Sequence, residues 1–168
     1  MRSLKLWQRN VIGAVVTAVA LAVVTVTDLV PKWEVYRASV HPATVAGPRQ
    51  SVTVDDMLWS LGAVRHLGRN ITPFGTPLPE GTVLTVVTVQ RDGAAGPRLG
   101  CGGVLTDGRH RWRGQSVTEF GLRPSAGAAP TCTAAGALEW AFLIPGDVVP
   151  TAVDVTTLDG SILLRLQL

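Results

Sequence analysis

Two apolar patterns divide this chain. From Val11 to Thr27, VIGAVVTAVALAVVTVT, seventeen residues pass without a charge, a proline or an amide. Beyond that run, apolar and polar positions alternate in short stretches broken by glycine and proline. The first pattern has no polar stripe and predicts a helix apolar on every side, the kind that sits in lipid or deep in a core. Seventeen helical residues rise about 26 Å, and continuing to Val30 gives about 30 Å, the thickness of a hydrocarbon layer. Trp7 on one side, with Trp33 and Tyr36 on the other, bracket the run where indole and phenol rings favour a membrane interface.

The flanking charges orient the span. Arg2, Lys5 and Arg9 precede it, whereas Lys32 and Arg37 beyond it are offset by Asp28 and Glu34. That bias predicts a cytoplasmic N-terminus and an extracytoplasmic remainder. Small residues at signal-cleavage spacing (Ala18 and Ala20, Ala20 and Ala22, Thr25 and Thr27) fall inside the apolar run or just before Asp28, a poor setting for cleavage. A retained anchor is expected, with release by cleavage as the alternative. The expected layout is a cytoplasmic tail at 1–10, a transmembrane signal anchor at 11–30, a stalk with a first edge strand (Val35 to Val40) at 31–49, and one domain at 50–168.

The second pattern predicts strands. Ser51–Val54 is short and β-rich, and Asp55-Asp56 reads as a turn. In Leu58 to Leu67, LWSLGAVRHL, Trp59, Leu61, Ala63, Arg65 and Leu67 share one face, with Trp59 and Leu61 marking it as the core face. Gly68 to Gly81 holds three prolines among its fourteen residues and must be loop. Thr82–Gln90 is the strongest strand, with Val83, Val87 and Val89 facing one way. Leu99–Thr106 follows, then an Asp107-Gly108 hairpin into His110–Arg113, and one more short strand at Val117–Leu122. Ala137 to Ile144 sets Leu138, Trp140, Phe142 and Ile144 against smaller residues. The last two strands, Ala152–Leu158 and Ser161–Leu168, are joined by Asp159-Gly160. Seven to nine short strands in about 130 residues predict an all-β fold, an antiparallel β-sandwich of immunoglobulin-like type behind one N-terminal transmembrane helix.

The run Trp140-x-Phe142-x-Ile144-Pro145 with Asp147 and a closing hairpin, and the earlier Pro79-x-Gly81 entry into Val83–Val89, resemble a known group. They are similar to the telokin-like immunoglobulin-sandwich domains of exported, membrane-anchored bacterial proteins of unknown function, and the resemblance implies an actinobacterial source. The resemblance covers about residues 50–168. It implies a fold, an exported location and a binding or accessory role, and it supplies no catalytic residue to carry over. Trp140 follows both cysteines instead of lying between them, which departs from the antibody-type core.

Charge narrows the partners. The formal +3 comes from the first ten residues; residues 31–168 carry twelve Arg or Lys against eleven Asp or Glu. No nucleic-acid partner is expected from that balance. Cys101 and Cys132, both exported on this reading, are expected to form one structural disulfide. The densest polar cluster is Arg109-His110-Arg111-Trp112-Arg113. Arg109, Arg111, Trp112 and Arg113 are candidate contacts for an anionic lipid headgroup, a phosphorylated envelope polymer or an acidic partner. The competing role is an edge strand whose arginines block edge-to-edge pairing while Trp112 faces inward. His41, His66 and His110 lack ligand spacing, so no metal site is expected. Asp55-Asp56 falls short of a calcium loop. Asn70-Ile71-Thr72 matches a glycosylation acceptor only by a common pattern. Neither a nucleophile elbow nor a phosphate-binding glycine loop is present, so no catalytic residue and no cofactor is expected. The resulting expectation is a non-enzymatic, membrane-tethered extracytoplasmic module for a protein or envelope partner. An envelope-acting hydrolase is the distant alternative.

Overall fold

The computed structural model describes residues 6–68, 77–93, 99–129 and 133–168. The chain divides into two units, Met1–Ala38 and Ser39–Leu168. The first is helical: α1 covers Leu6–Val24, a π-helical turn covers Thr25–Leu29, and α2 covers Val30–Val40. From Asn10 to Val40 the helix is long and apolar enough to cross a membrane; an 18-residue stretch of it has a mean hydropathy of 2.2, and none of that stretch is buried within the chain. Trp7, Trp33 and Tyr36 are all exposed, and the Trp33 and Tyr36 rings lie 5.5 Å apart.

Val35 to Val40, expected as an edge strand, is helical. The reason lies at Pro31, which removes one N–H and crowds the carbonyl four residues back. A widened turn just upstream absorbs both effects: Val30 N–H bonds to Thr25 O, five residues back, and α2 then continues through the proline. Pro31 therefore does not end the helix.

The second unit is mostly β-sheet. Among the described residues its strands are β1 (Thr44–Ala46), β2 (Ser51–Val54), β3 (Met57–Gly68), β4 (Thr82–Asp92), β5 (Leu99–Thr106), β6 (Arg111–Arg113), β7 (Gln115–Ser116), β8 (Leu138–Pro145), β9 (Ala152–Thr157) and β10 (Ile162–Gln167). They form two five-stranded sheets, ordered β1-β10-β9-β5-β6 and β2-β3-β4-β8-β7. Every strand pairing is antiparallel except β1 with β10. One core draws on both sheets: Trp59, Val87, Val89, Trp140, Phe142 and Ile144 from one, Leu105, Val153, Val155, Leu164 and Leu166 from the other. The alternation of β8 and the Val83/Val87/Val89 face of β4 are found as the sequence predicts.

Two departures have local causes. Within β3, Leu61 pairs with Val89 but Val64 pairs with Val87, so one extra residue is bulged at Gly62–Ala63. A side chain at Gly62 would stand 2.9 Å from Thr88 O, so glycine suits the bulge. The alternation inverts there: Val64 joins the core, and Arg65 moves to the outer face with Glu139. Val117–Leu122, expected as a strand, instead opens as a 3₁₀ turn, Val117–Phe120, capped by Ser116 and ended by the left-handed Gly121. This turn and Leu122 cover a second apolar cluster on the outer face of the β4–β8 sheet, built on Leu84, Val86 and Ala141. The Asp55-Asp56 turn is found as expected, and both residues adopt positive φ, 51° and 59°, as a two-residue hairpin matching the strand twist requires.

Candidate functional site

The arginine-rich stretch sits where an edge strand was expected. β6 is the last strand of its sheet, paired only with β5 through Val104–Arg113, Leu105–Trp112 and Thr106–Arg111. Because Leu105 faces the core, its partner Trp112 turns inward and packs against that core, half-buried. Arg111 and Arg113 face outward and are exposed. Arg109 does not share their strand, for it lies in the turn. That turn is held by Asp107, whose Oδ1 accepts from Arg109 N (2.7 Å) and His110 N (2.6 Å), and whose Oδ2 lies 3.0 Å from His110 Nδ1. These bonds, the His110 N–H first among them, hold the Asp107 carboxyl far below the usual carboxylate range. The exposed His110 ring lies 5.9 Å from the Trp112 ring.

Beside β6, the outer face of the same sheet carries a buried charge that sequence reading missed. Asp154 on β9 is fully buried, and both its oxygens are taken by Arg165 on β10, at 2.6 Å from Nε and 2.8 Å from Nη2. This two-pronged contact raises the Arg165 pKa above the ordinary guanidinium value. Arg111 Nη2 lies 3.8 Å from the same carboxylate, and Arg111 Nη1 donates to Ser39 O at 2.8 Å. The signal was present in the sequence. Counting outward from the Asp159-Gly160 turn sets Asp154 opposite Arg165, which is their register.

A concavity of about 620 Å³ opens here, lined by Arg111 and Arg113 together with Gly102, Val104, Gly114 and Thr156 among others. The glycines are required by close approach. A side chain at Gly102 would meet Thr156 Oγ1 at 2.2 Å, and one at Gly103 would meet the Trp140 ring at 2.5 Å.

On the opposite sheet, Glu139 occupies the outer face with its side chain 2% exposed. It accepts from Ser125 N (2.9 Å), Ser125 Oγ (2.8 Å), Arg65 Nη2 (2.6 Å) and Thr88 Oγ1 (3.4 Å). Burial pushes its carboxyl up, but the Ser125 hydrogen bonds and the Arg65 charge outweigh burial and leave it below the ordinary glutamate value. The Ser125 hydroxyl is thus a donor to a carboxylate that fastens its loop to the sheet. Arg91 plays a similar part elsewhere: Nε donates to Gly136 O at 2.9 Å and Nη2 to Ala134 O. Burial lowers its pKa.

His66 bonds Thr85 Oγ1 at 3.0 Å, and among the described residues no group of three or more His, Cys, Asp or Glu could hold a metal ion. Cys132 lies outside the described residues, as does the side chain of Cys101, so their pairing falls outside them too; no disulfide occurs within them. Asn70-Ile71-Thr72, Arg2 and Lys5 also lie outside. Compared with protein-family models, curated proteins and solved structures, the chain finds no match in any of the three.

Proposed function

We propose that this chain is a single-pass membrane protein, N-terminus in the cytoplasm, whose extracytoplasmic body is an immunoglobulin-like β-sandwich acting as a non-enzymatic binding or accessory module. The observation that carries the reading is the helix from Asn10 to Val40, whose 11–27 stretch is uncharged on every side and exposed along its whole length. Such a surface needs lipid around it, because each apolar side chain left in water forfeits about 1.5–3 kcal/mol of burial. Its 31 residues rise about 46 Å, enough for the hydrocarbon layer and both headgroup zones.

Strand order supports the immunoglobulin-like reading. β3-β4-β8-β7 follows the A-B-E-D order of that fold, and β5-β9-β10 follows C-F-G, while β1, β2 and β6 are additions at the edges. The binding role is supported by what the polar clusters are occupied with: Ser125 and Arg65 hold Glu139, and Arg165 holds Asp154. The module meets a protein partner or an envelope component, through edge strands and loops.

Membrane fractionation tests the reading. The full-length chain is expected to stay with membranes through high-salt and alkaline washes, with an intact N-terminus by mass spectrometry. A mature terminus between residues 20 and 31, with the protein in the soluble fraction, would replace the tether with the secreted alternative.

A further inference from the structure

We infer that the concavity on the outer face of the β1–β10–β9–β5–β6 sheet is a binding site for a phosphate ester, gripped by Arg111 and Arg113. The inference rests on the extracytoplasmic binding-module reading and assigns that module a ligand class. Its starting point is a charge imbalance. Asp154 is the carboxylate closest to Arg111, and Arg165 already occupies both of its oxygens at 2.6 and 2.8 Å. Arg111 approaches Asp154 only to 3.8 Å, so its own charge is left over. Arg113 has no hydrogen-bond or ion-pair partner among the described residues. Asp159, in the adjoining hairpin turn, is taken up with Thr157 Oγ1 and Ser161 N. Among the described residues, no acidic residue lines the concavity.

The two guanidinium groups are also arranged for one anion. Residues two apart on a strand lie on the same face with Cα atoms about 7 Å apart, which lets two planar forks converge on one tetrahedral oxyanion. Arg111 is preset: its bond to Ser39 O fixes the guanidinium and leaves several of its five N–H donors free. A concavity of about 620 Å³ is far larger than a phosphate, so the rest of an ester fits beside it. Gly102 keeps part of the floor free of a side chain. Arg109, in the turn, does not line the space, so the arginine cluster of the sequence separates into two ligand residues and one that is not.

The site lies near the end of the body where the chain enters from residue 39, since Ser39 and the hairpin tip at Leu158 and Gly160 both line it. A phosphate ester at that place comes either from a lipid headgroup or from a soluble or polymer-borne molecule. Leu158, 76% exposed at the rim, would suit either the edge of a bilayer or the apolar part of an ester.

The test uses the full chain in phosphatidylcholine nanodiscs, titrated with glycerol 1-phosphate at constant ionic strength and read by calorimetry, with acetate as the control anion. Binding is expected in the wild type, weakened on the order of tenfold in Arg113→Gln and unchanged in Arg109→Gln, which removes the same charge outside the concavity. Arg113→Gln removes no side-chain hydrogen bond or ion pair among the described residues, so no polar contact of the fold is lost. Repeating the titration in discs containing phosphatidylglycerol separates the sources: competition by the lipid, lost in Arg113→Gln, assigns the headgroup, and undiminished binding assigns a soluble or polymeric ester. Absence of binding in both discs, equal losses in the two variants, or equal binding of acetate overturns the site. A chain that is processed and leaves the disc refutes the tether, while glycerol 1-phosphate binding by the released body still reads the site.

Discussion

Replacing Gly103 by alanine probes the contact that joins the two sheets. The backbone of Gly103 is on β5, and the indole of Trp140 on β8 lies against it from the opposing sheet. A methyl group there would stand 2.5 Å from Trp140 Cδ2, 2.6 Å from Cε3 and 3.0 Å from Cε2. Carbon atoms in contact prefer about 3.5–4.0 Å, so the overlap is about 1 Å against a rigid ring. The ring cannot step aside easily, because Trp140 is buried, and a side chain at Gly114 would itself meet Trp140 Cβ at 2.8 Å and Phe142 Cε1 at 3.0 Å. Overpacking of this kind costs about 1–3 kcal/mol, and the gain from replacing a strand glycine returns only about 0.5–1. A net loss of about 1–2 kcal/mol remains, equivalent to a fall of roughly 4–8 °C in the midpoint for a body of this size. Thermal unfolding followed by near-UV circular dichroism measures it. The double variant Gly103→Ala with Trp140→Leu separates clash from general damage: the alanine is then expected to cost nothing further, giving a coupling above about 1 kcal/mol. A Gly103→Ala midpoint within about 1 °C of wild type would show that the sheets do not meet as described.

Asp154→Ala strands Arg165 beside a buried void and is expected to destabilise the body by about 3–5 kcal/mol in chemical denaturation, whereas Arg111→Ala costs far less because Arg165 still satisfies the carboxylate. Glu139 has a folded-state pKa below its unfolded value, so its contribution is complete above the ordinary glutamate range of about 4.3 and is lost as pH falls through the folded value. Acid titration of the unfolding midpoint is therefore expected to be steeper for wild type than for Glu139→Gln. Arg91→Ala removes the donors to Gly136 O and Ala134 O, and a loss of about 1–3 kcal/mol should appear in the same measurement.

The elements that were legible from sequence are those whose period is set locally. β8 alternates without interruption, β4 is β-branched at nearly every position, and Asp107-Gly108 and Asp159-Gly160 announce their own hairpins. The bulge in β3 was hidden because a single extra residue leaves the composition intact while exchanging the two faces, so Arg65 and Val64 were assigned to the wrong sides. Val35 to Val40 misled because it is β-branched at both ends and follows a proline, and the relief of that proline sits one turn upstream in Thr25–Leu29. Val117–Leu122 read as a strand because its apolar positions do face a sheet, though from outside it as a covering turn. Of the candidate site, the outward pair Arg111 and Arg113 was legible from strand alternation. Asp154 and Arg165 required the register of the final hairpin, and the leftover charge at Arg111 follows only from knowing who holds Asp154.

The parallel pairing of β1 with β10 has a mechanical consequence. The chain arrives at Ala43, whose N–H bonds Ile162 O at 3.2 Å, runs alongside β10 through Thr44–Leu164, Val45–Arg165 and Ala46–Leu166, and the C-terminus leaves β10 at the far end. A pull between residue 39 and Leu168 therefore drags these two neighbours past each other along their length. Their hydrogen bonds are strained all at once and must rupture together, instead of opening one after another like a zip. Tension exerted at these two points would meet its stiffest resistance at this short seam, before any force reached the apolar interior.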